Sequence, residues 1–205
     1  MSFKKLNTPL KDALDRLGYE SLLPFQKKLI PKIKSGKNLF AIAPQGSGKS
    51  TAIVISTLQI LESKAFEDAP RALIFVKDKQ AALELEEKFN EFIRYMDVRV
   101  FSAYDEPDIE QQKVSIYEGV DVVIATPNKL FKLFKITGIN VSQLKLFIVE
   151  DAEFLLNSRD FNDLIRIPPH ITKCQYLVFA SEFNSKIERL KDSFMSHSDV
   201  VRAAK

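Results

Sequence analysis

The segment that most restricts the fold is short. Leu39-Phe40-Ala41-Ile42 is an apolar run, Ala43-Pro44-Gln45-Gly46-Ser47-Gly48 is a turn built on glycine, and Lys49-Ser50-Thr51 opens onto the helix-compatible Ala52-Ile53-Val54-Ile55. The order is strand, glycine-rich turn, helix. Backbone N–H groups in such a turn point inward and make a cradle for anions. The N-terminus of the next helix adds unpaired N–H groups and a partial positive charge. Residues Gly46, Ser47, Gly48 and Thr51 thus become candidates for holding the phosphates of a nucleoside triphosphate. Lys49 is placed to reach the β- and γ-phosphates, and the Ser50 hydroxyl to ligate Mg²⁺. The strict pattern has Gly where Ala43 stands. A solvated surface turn is the bland alternative, and the strand before and helix after weigh against it.

The rest of the chain repeats the alternation. Strand-like runs occupy 39–43, 72–76, 98–101, 120–125, 146–149 and 175–179. Helical patterns occupy 10–17, 25–34, 79–96, 129–134 and 186–195, the second interrupted at Pro31. In the third, Leu83, Leu85, Phe89, Phe92 and Ile93 share one face among charges. Strands alternating with helices predict an α/β fold: a mainly parallel sheet with helices on both faces. Ligands in such folds sit beyond the carboxyl ends of the strands. Residues 46–50, 77–79, 126–129, 150–153 and 181–182 each follow a strand-like run, so they are expected along one edge of the sheet. Residues 62–70 read as a surface loop.

Composition narrows the rest. The chain has 205 residues, enough for one sizeable core, with a net charge of +3 that permits a polyanionic partner without requiring one. His170, His197 and Cys174 are too few and too scattered for a zinc site, and the lone cysteine fits a reducing compartment. His170 follows two prolines and reads as structural, Cys174 as a packing residue, and the phenylalanines as core. No apolar stretch approaches the length of a membrane span, and Met1-Ser2-Phe3-Lys4-Lys5-Leu6 lacks a signal-peptide core, so the expected location is cytoplasmic.

After Leu146-Phe147-Ile148-Val149 comes Glu150-Asp151-Ala152-Glu153. A carboxylate at the end of a buried strand beside a phosphate loop holds Mg²⁺ in P-loop enzymes. Its neighbour is then placed to position or deprotonate a water. Taken alone, the same acids serve equally well as a solvated helix cap.

At this point the order and spacing of segments resemble the first RecA-like domain of a DEAD-box RNA helicase, along essentially the whole chain. Phe3-Lys4-Lys5-Leu6 is similar to the family's upstream Phe-x-x-Leu, and Gly18-Tyr19 through Pro24-Phe25-Gln26 to its Q motif. Ala43 to Ser50 resembles motif I, including the leading Ala. Lys77-Asp78-Lys79-Gln80-Ala81-Ala82 falls where the family has Pro-Thr-Arg-Glu-Leu-Ala, and Thr126-Pro127-Asn128-Lys129-Leu130 where it has Thr-Pro-Gly-Arg-Leu. Glu150-Asp151-Ala152-Glu153 stands in the Asp-Glu-Ala-Asp position, and Ala180-Ser181-Glu182-Phe183 in that of Ser-Ala-Thr-Phe.

The resemblance implies ATP and Mg²⁺ as cofactors, with Gln26 and an aromatic, Tyr19, selecting adenine. It implies that Lys49, Glu150 and Asp151 are catalytic and that Ser50 and Glu150 hold the metal. It implies sequence-tolerant RNA contact through Lys77, Lys79, Thr126 and Lys129; without it, these lysines read as solvated loop ends. The departures are specific. The box keeps its carboxylates with their lengths exchanged. The third motif loses two hydroxyls and gains Glu182. The family's paired glycines are missing from Ser102-Ala103-Tyr104-Asp105, and Lys79 and Lys129 replace arginines.

The expectation is a single RecA-like domain over 1–205, with a Q-motif region over about residues 1–36 and the second RecA-like domain absent. A missing arginine finger from that second domain costs roughly 10³–10⁵ in rate. Such a chain binds nucleotide, hydrolyses it slowly and does not unwind duplexes alone. Two other readings stay open: a non-catalytic adapter that binds ATP, RNA or a helicase partner, and an unrelated P-loop kinase or transport ATPase.

Overall fold

The apolar runs become strands buried on both faces, which is why they carry no polar alternation. The computed structural model describes residues 3–106 and 108–203. Seven strands form one sheet: β1 Asn38–Ile42, β2 Ala72–Phe75, β3 Val100–Ala103, β4 Val122–Ala125, β5 Leu146–Val149, β6 Gln175–Ala180 and β7 Ser198–Arg202. Their order is β3-β4-β2-β5-β6-β1-β7, and every pairing is parallel.

Side chains alternate across the sheet and divide the core in two. Leu39, Ala41, Ile74, Ile124, Ile148 and Phe179 face one layer. There they meet Leu10 and Leu14 of α1 (Thr8–Arg16), Leu29 and Ile33 of α2 (Pro24–Lys34), Ile53 of α3 (Lys49–Ile60) and Phe89 of α4 (Lys79–Ile93). Phe40, Phe75, Val123, Phe147 and Val178 face the other. That layer holds Ile116 of α5 (Ile109–Tyr117), Leu133 of α6 (Pro127–Lys135), Leu164 of α7 (Ser158–Ile165) and Ile187 of α8 (Ser185–Glu188). The α/β architecture with helices on both faces is as the sequence predicts.

Several elements differ from expectation. β7 was not foreseen, because only Val201 of its five residues is buried; it is an edge strand beside β1. α5 and α7 were also missed, each burying few side chains. α2 runs through Pro31. The proline forfeits the bond to the Lys27 carbonyl, yet Leu29, Ile30 and Ile33 are buried and hold the helix to the core. The expected helix 186–195 is a short α-turn followed by a 3₁₀ segment, Arg189–Asp192. Residues 62–70 are a loop whose Phe66 N–H donates to Asp121, a fully buried carboxylate that also pairs with Arg71 at 2.6 Å and Arg99 at 3.0 Å.

Candidate functional site

The turn between β1 and α3 is shaped by two glycines in the left-handed region, Gly46 at φ 80° and Gly48 at φ 82°. Gly48 is forced for a second reason. A Cβ there would sit 2.9 Å from Leu23 Cδ1 and inside contact distance of the Gln26 carboxamide. Gln26, 2% exposed, uses that carboxamide twice: its Oε1 accepts from the Leu23 N–H at 2.8 Å, and its Nε2 donates to the Gly48 carbonyl at 3.1 Å. It therefore caps α2 and ties that helix to the phosphate loop.

Lys49 is 8% exposed. Its ammonium donates to the Ala43 carbonyl at 3.0 Å and lies 3.3 Å from Asp151 Oδ1. The Ser50 hydroxyl donates to Glu150 Oε1 at 2.5 Å. Thus β1 and β5, which are not adjacent, deliver the loop and the acids to one place at their carboxyl ends. Burial pushes the Glu150 carboxyl up to about 7; Asp151 adds to this, while the Ser50 hydrogen bond, Lys88 and Lys49 oppose it. Asp151 is mostly exposed and holds φ 45°, a left-handed conformation in which Asp is several-fold enriched among non-glycine residues. Glu153 points elsewhere. It accepts from the Ser181 N–H and hydroxyl, each at 2.5 Å, and from the Glu182 N–H at 3.3 Å. Burial disfavours its charge, but these bonds outweigh burial and hold its pKa below the ordinary carboxylate range. The longer acid spans from the end of β5 to the end of β6.

These groups border a cavity of about 590 Å³, within the ~300–1,000 Å³ usual for ligand pockets. One wall is the loop and the first turn of α3: Gly46, Gly48, Lys49, Ser50 and Thr51. The facing wall comes from the end of β2 and from α4, with Lys77, Glu84 and Lys88. Leu23 closes a third side. Tyr19 is not part of the lining; it is half-buried and packs on Phe92, with ring centroids 5.8 Å apart.

The donor set is hard oxygen, from Ser50 and Glu150. Among the described residues no group of three or more His, Cys, Asp or Glu side chains could cage a metal. That combination fits Mg²⁺, which binds through one or two carboxylates and completes its shell with water and substrate phosphate.

The expected RNA-contacting residues do not share one open face. Lys77 borders the cavity. Lys79 is ion-paired to Glu106 and sits over the Tyr104 ring. Thr126 is buried, and its Oγ1 has no hydrogen-bond partner among the described residues. Lys129 is 3% exposed, and burial lowers its pKa. The physical reason is the loop after β3. Asp105 accepts from Asn128 Nδ2 at 3.0 Å and from Lys132 at 3.2 Å. Burial raises the Asp105 pKa, but these donors and the charges of Lys132 and Lys129 bring it below its ordinary value. One acid, Asp105, stands in the stretch where glycines were expected and Glu106 follows it, and the two take up Lys132 and Lys79.

Sequence reading missed Lys88 and Glu84 as cavity residues, since charges on the outer face of a helix carry no signal of what they face. It also missed the Glu153–Ser181 link.

Comparison with known proteins agrees with this arrangement. The DEAD-box ATP-dependent RNA helicase CshA of Streptococcus pneumoniae is 27% identical over the whole chain, which spans 39% of that relative. The ATP-dependent RNA helicase DeaD of Escherichia coli is 27% identical over 96% of the chain, which spans 31% of it. The chain thus covers well under half the length of these relatives. Among solved structures, a DEAD box protein from Methanococcus jannaschii superposes with a TM-score of 0.89 over 98% of this chain and 55% of that one, at 20% identity. The yeast DEAD-box splicing factor Prp28 gives 0.87 over 97% and 50%, at 19% identity. The fold is therefore the RecA-like domain of DEAD-box proteins. The sequence model described as DEAD/DEAH box helicase matches residues 23–189, and the chain belongs to that family.

Proposed function

We propose that this domain binds ATP with Mg²⁺ and serves as the nucleotide-binding half of an RNA-dependent ATPase. The observation that carries the reading is the convergence of Lys49, Ser50, Glu150 and Asp151 on one cavity beside a loop held by two left-handed glycines. Lys49 grips the phosphate chain, exchanging Asp151 for phosphate oxygens. Ser50 and Glu150 would hold the metal, which when bound would supply charge neutralisation for the transferred phosphoryl group. Asp151, exposed and one residue from Glu150, orients a water and accepts its proton. Gln26 senses the base through the amide hydrogen that its bond to Gly48 leaves unused, and Leu23 packs beside it.

RNA is the proposed second ligand, contacted through phosphate and sugar and so with little base preference. The edge that would meet it is closed by Asp105 and Glu106. That observation favours a second reading, an adapter that binds nucleotide without RNA-stimulated turnover.

Titration calorimetry with Mg·ATP on the wild type and on Lys49→Ala tests the main reading, with GTP as competitor. Losing one charge-assisted contact weakens binding by about 10–100-fold, and ATP outcompetes GTP. No ATP binding by a folded wild-type domain overturns the reading. ATP hydrolysis that rises with RNA and is lost in Lys49→Ala excludes the adapter.

A further inference from the structure

We infer that Lys88 on α4 is a second phosphate-binding cation of the cavity, serving the phosphates nearer the ribose while Lys49 serves the terminal ones. The inference rests on reading the cavity as a nucleotide site. Its own support is the behaviour of the side chain. A lysine on a helix surface is modestly stabilised by pairing with a carboxylate three or four residues away. Lys88 has Glu84 at i−4 and Glu91 at i+3. Among the described residues it forms no ion pair with either, nor with any other acid. Glu84 is engaged by the Gln80 carboxamide at 2.8 Å instead. Lys88 is half-buried, borders the cavity and reaches across it to donate to Thr51 Oγ1 at 3.5 Å.

The position of that contact sets the role. Thr51 follows Ser50 in the first turn of α3, where backbone N–H groups meet the α- and β-phosphates. Lys49 instead lies 3.3 Å from Asp151, where a terminal phosphate would sit. The two ammonium groups thus flank the first turn of α3, and a polyphosphate lying along it touches both. Lys88 also bears on Glu150, whose ionisation its charge favours. An ammonium on the cavity wall held only by a long hydrogen bond to Thr51 is available without first breaking an ion pair.

The test is titration of the wild type, Lys88→Ala, Lys88→Arg and Lys49→Ala with ATP, ADP, AMP and adenosine. Lys88→Ala should weaken ATP, ADP and AMP alike by about tenfold, the size of one charge-assisted hydrogen bond. Adenosine binding should not change. Lys88→Arg should recover most of the loss. Lys49→Ala should instead weaken ATP far more than AMP. Unchanged phosphate binding in Lys88→Ala, with Lys49→Ala still defective, overturns the inference and leaves the nucleotide reading intact. An equal loss for adenosine and AMP overturns it in favour of a purely structural wall. No nucleotide binding by the wild type removes both.

Discussion

Two stretches of the same sheet edge use lysines in opposite ways. Over β1 and β5, Lys49 and Lys88 border a cavity that Glu150 and Asp151 also line, with Asp151 3.3 Å from the Lys49 ammonium. Over β3 and β4, Lys79 and Lys132 are already matched by Glu106 and Asp105 from a neighbouring loop. Topology puts both stretches at the carboxyl ends of parallel strands, where ligands collect. Topology does not determine whether the charge there is available. In the cavity, Lys49 pairs with Asp151, itself a lining residue, and Lys88 forms no ion pair among the described residues. The other stretch spends its cations on acids delivered from the turn after β3.

The largest effect is expected where the loop is most tightly packed. Gly48→Ala places a methyl group against Leu23 and the Gln26 carboxamide and strains a left-handed residue. Strain and clash together should cost about 2–3 kcal/mol, seen as a fall in Tm of roughly 5–10 °C. ATP affinity should fall by roughly 100-fold, the size of effect a shift of about 1 Å in a phosphate site brings. Gly46→Ala separates the two causes, because its φ is 80° but a Cβ there meets nothing within 4 Å. It should cost only the strain, about 1–2 kcal/mol. Equal ATP affinity in the two variants would show that the Gln26 link does not shape the cavity.

Glu150 offers a sharper test of the cavity side, because its acidity is tuned by the same neighbours. Its folded pKa of about 7 lies above the ordinary carboxylate value of 4.5. Between these values the folded protein binds more protons than the unfolded chain, so stability falls as pH rises. The stabilising proton is fully present below about 4.5 and lost through about 7. The charged form at pH 8 should cost on the order of 3 kcal/mol relative to pH 4. Glu150→Gln, compared with wild type by denaturant unfolding across pH, should remove that slope and be the more stable protein in alkali. If Glu150 holds Mg²⁺ as proposed, Mg²⁺-dependent nucleotide binding should weaken about tenfold from pH 8 to pH 6 in the wild type. A stability profile for Glu150→Gln that parallels the wild type would move the titration to another group.

How much of this could be read beforehand follows the same division. β5 is four apolar residues buried on both faces, and the sequence marks its ends to the residue. The phosphate loop is local in sequence, so its parts are legible together. The acids of residues 150–153 were legible as a cluster, and so was Glu150 beside Ser50, but not the turn of Glu153 to Ser181. β7 was hidden because Ser198, Asp199 and Arg202 belong to an edge strand that needs little apolar surface. Tyr19 stood where an adenine-packing aromatic was expected and instead covers Phe92, a core contact that spacing alone does not reveal. The pairing of Asp105 with Asn128 and Lys132 joins residues 23 and 27 positions apart. The missing glycines were visible, but the direction in which Asp105 and the following Glu106 turn was not.

The smallest expected effect tests the other side of the comparison directly. Asp105→Asn combined with Glu106→Gln keeps the size of both side chains and removes both charges. Lys79 and Lys132 lose their ion pairs, and exposed pairs of this kind hold a loop only weakly. Folding should therefore be little affected and ATP affinity unchanged. Affinity for a single-stranded homopolymeric RNA at low salt should rise about 3–10-fold, as two ammonium groups become available to phosphate. The dependence on salt should steepen with it. A single strand contributes a slope of about −0.7 in log affinity against log salt for each phosphate neutralised, so two lysines predict a change near −1.4. Filter binding over a salt series measures both quantities. A higher affinity with an unchanged slope would mean the loop moved without yielding its cations. No change in either would mean that the acids do not shield this edge and that the contrast between the two stretches lies in shape, not in charge.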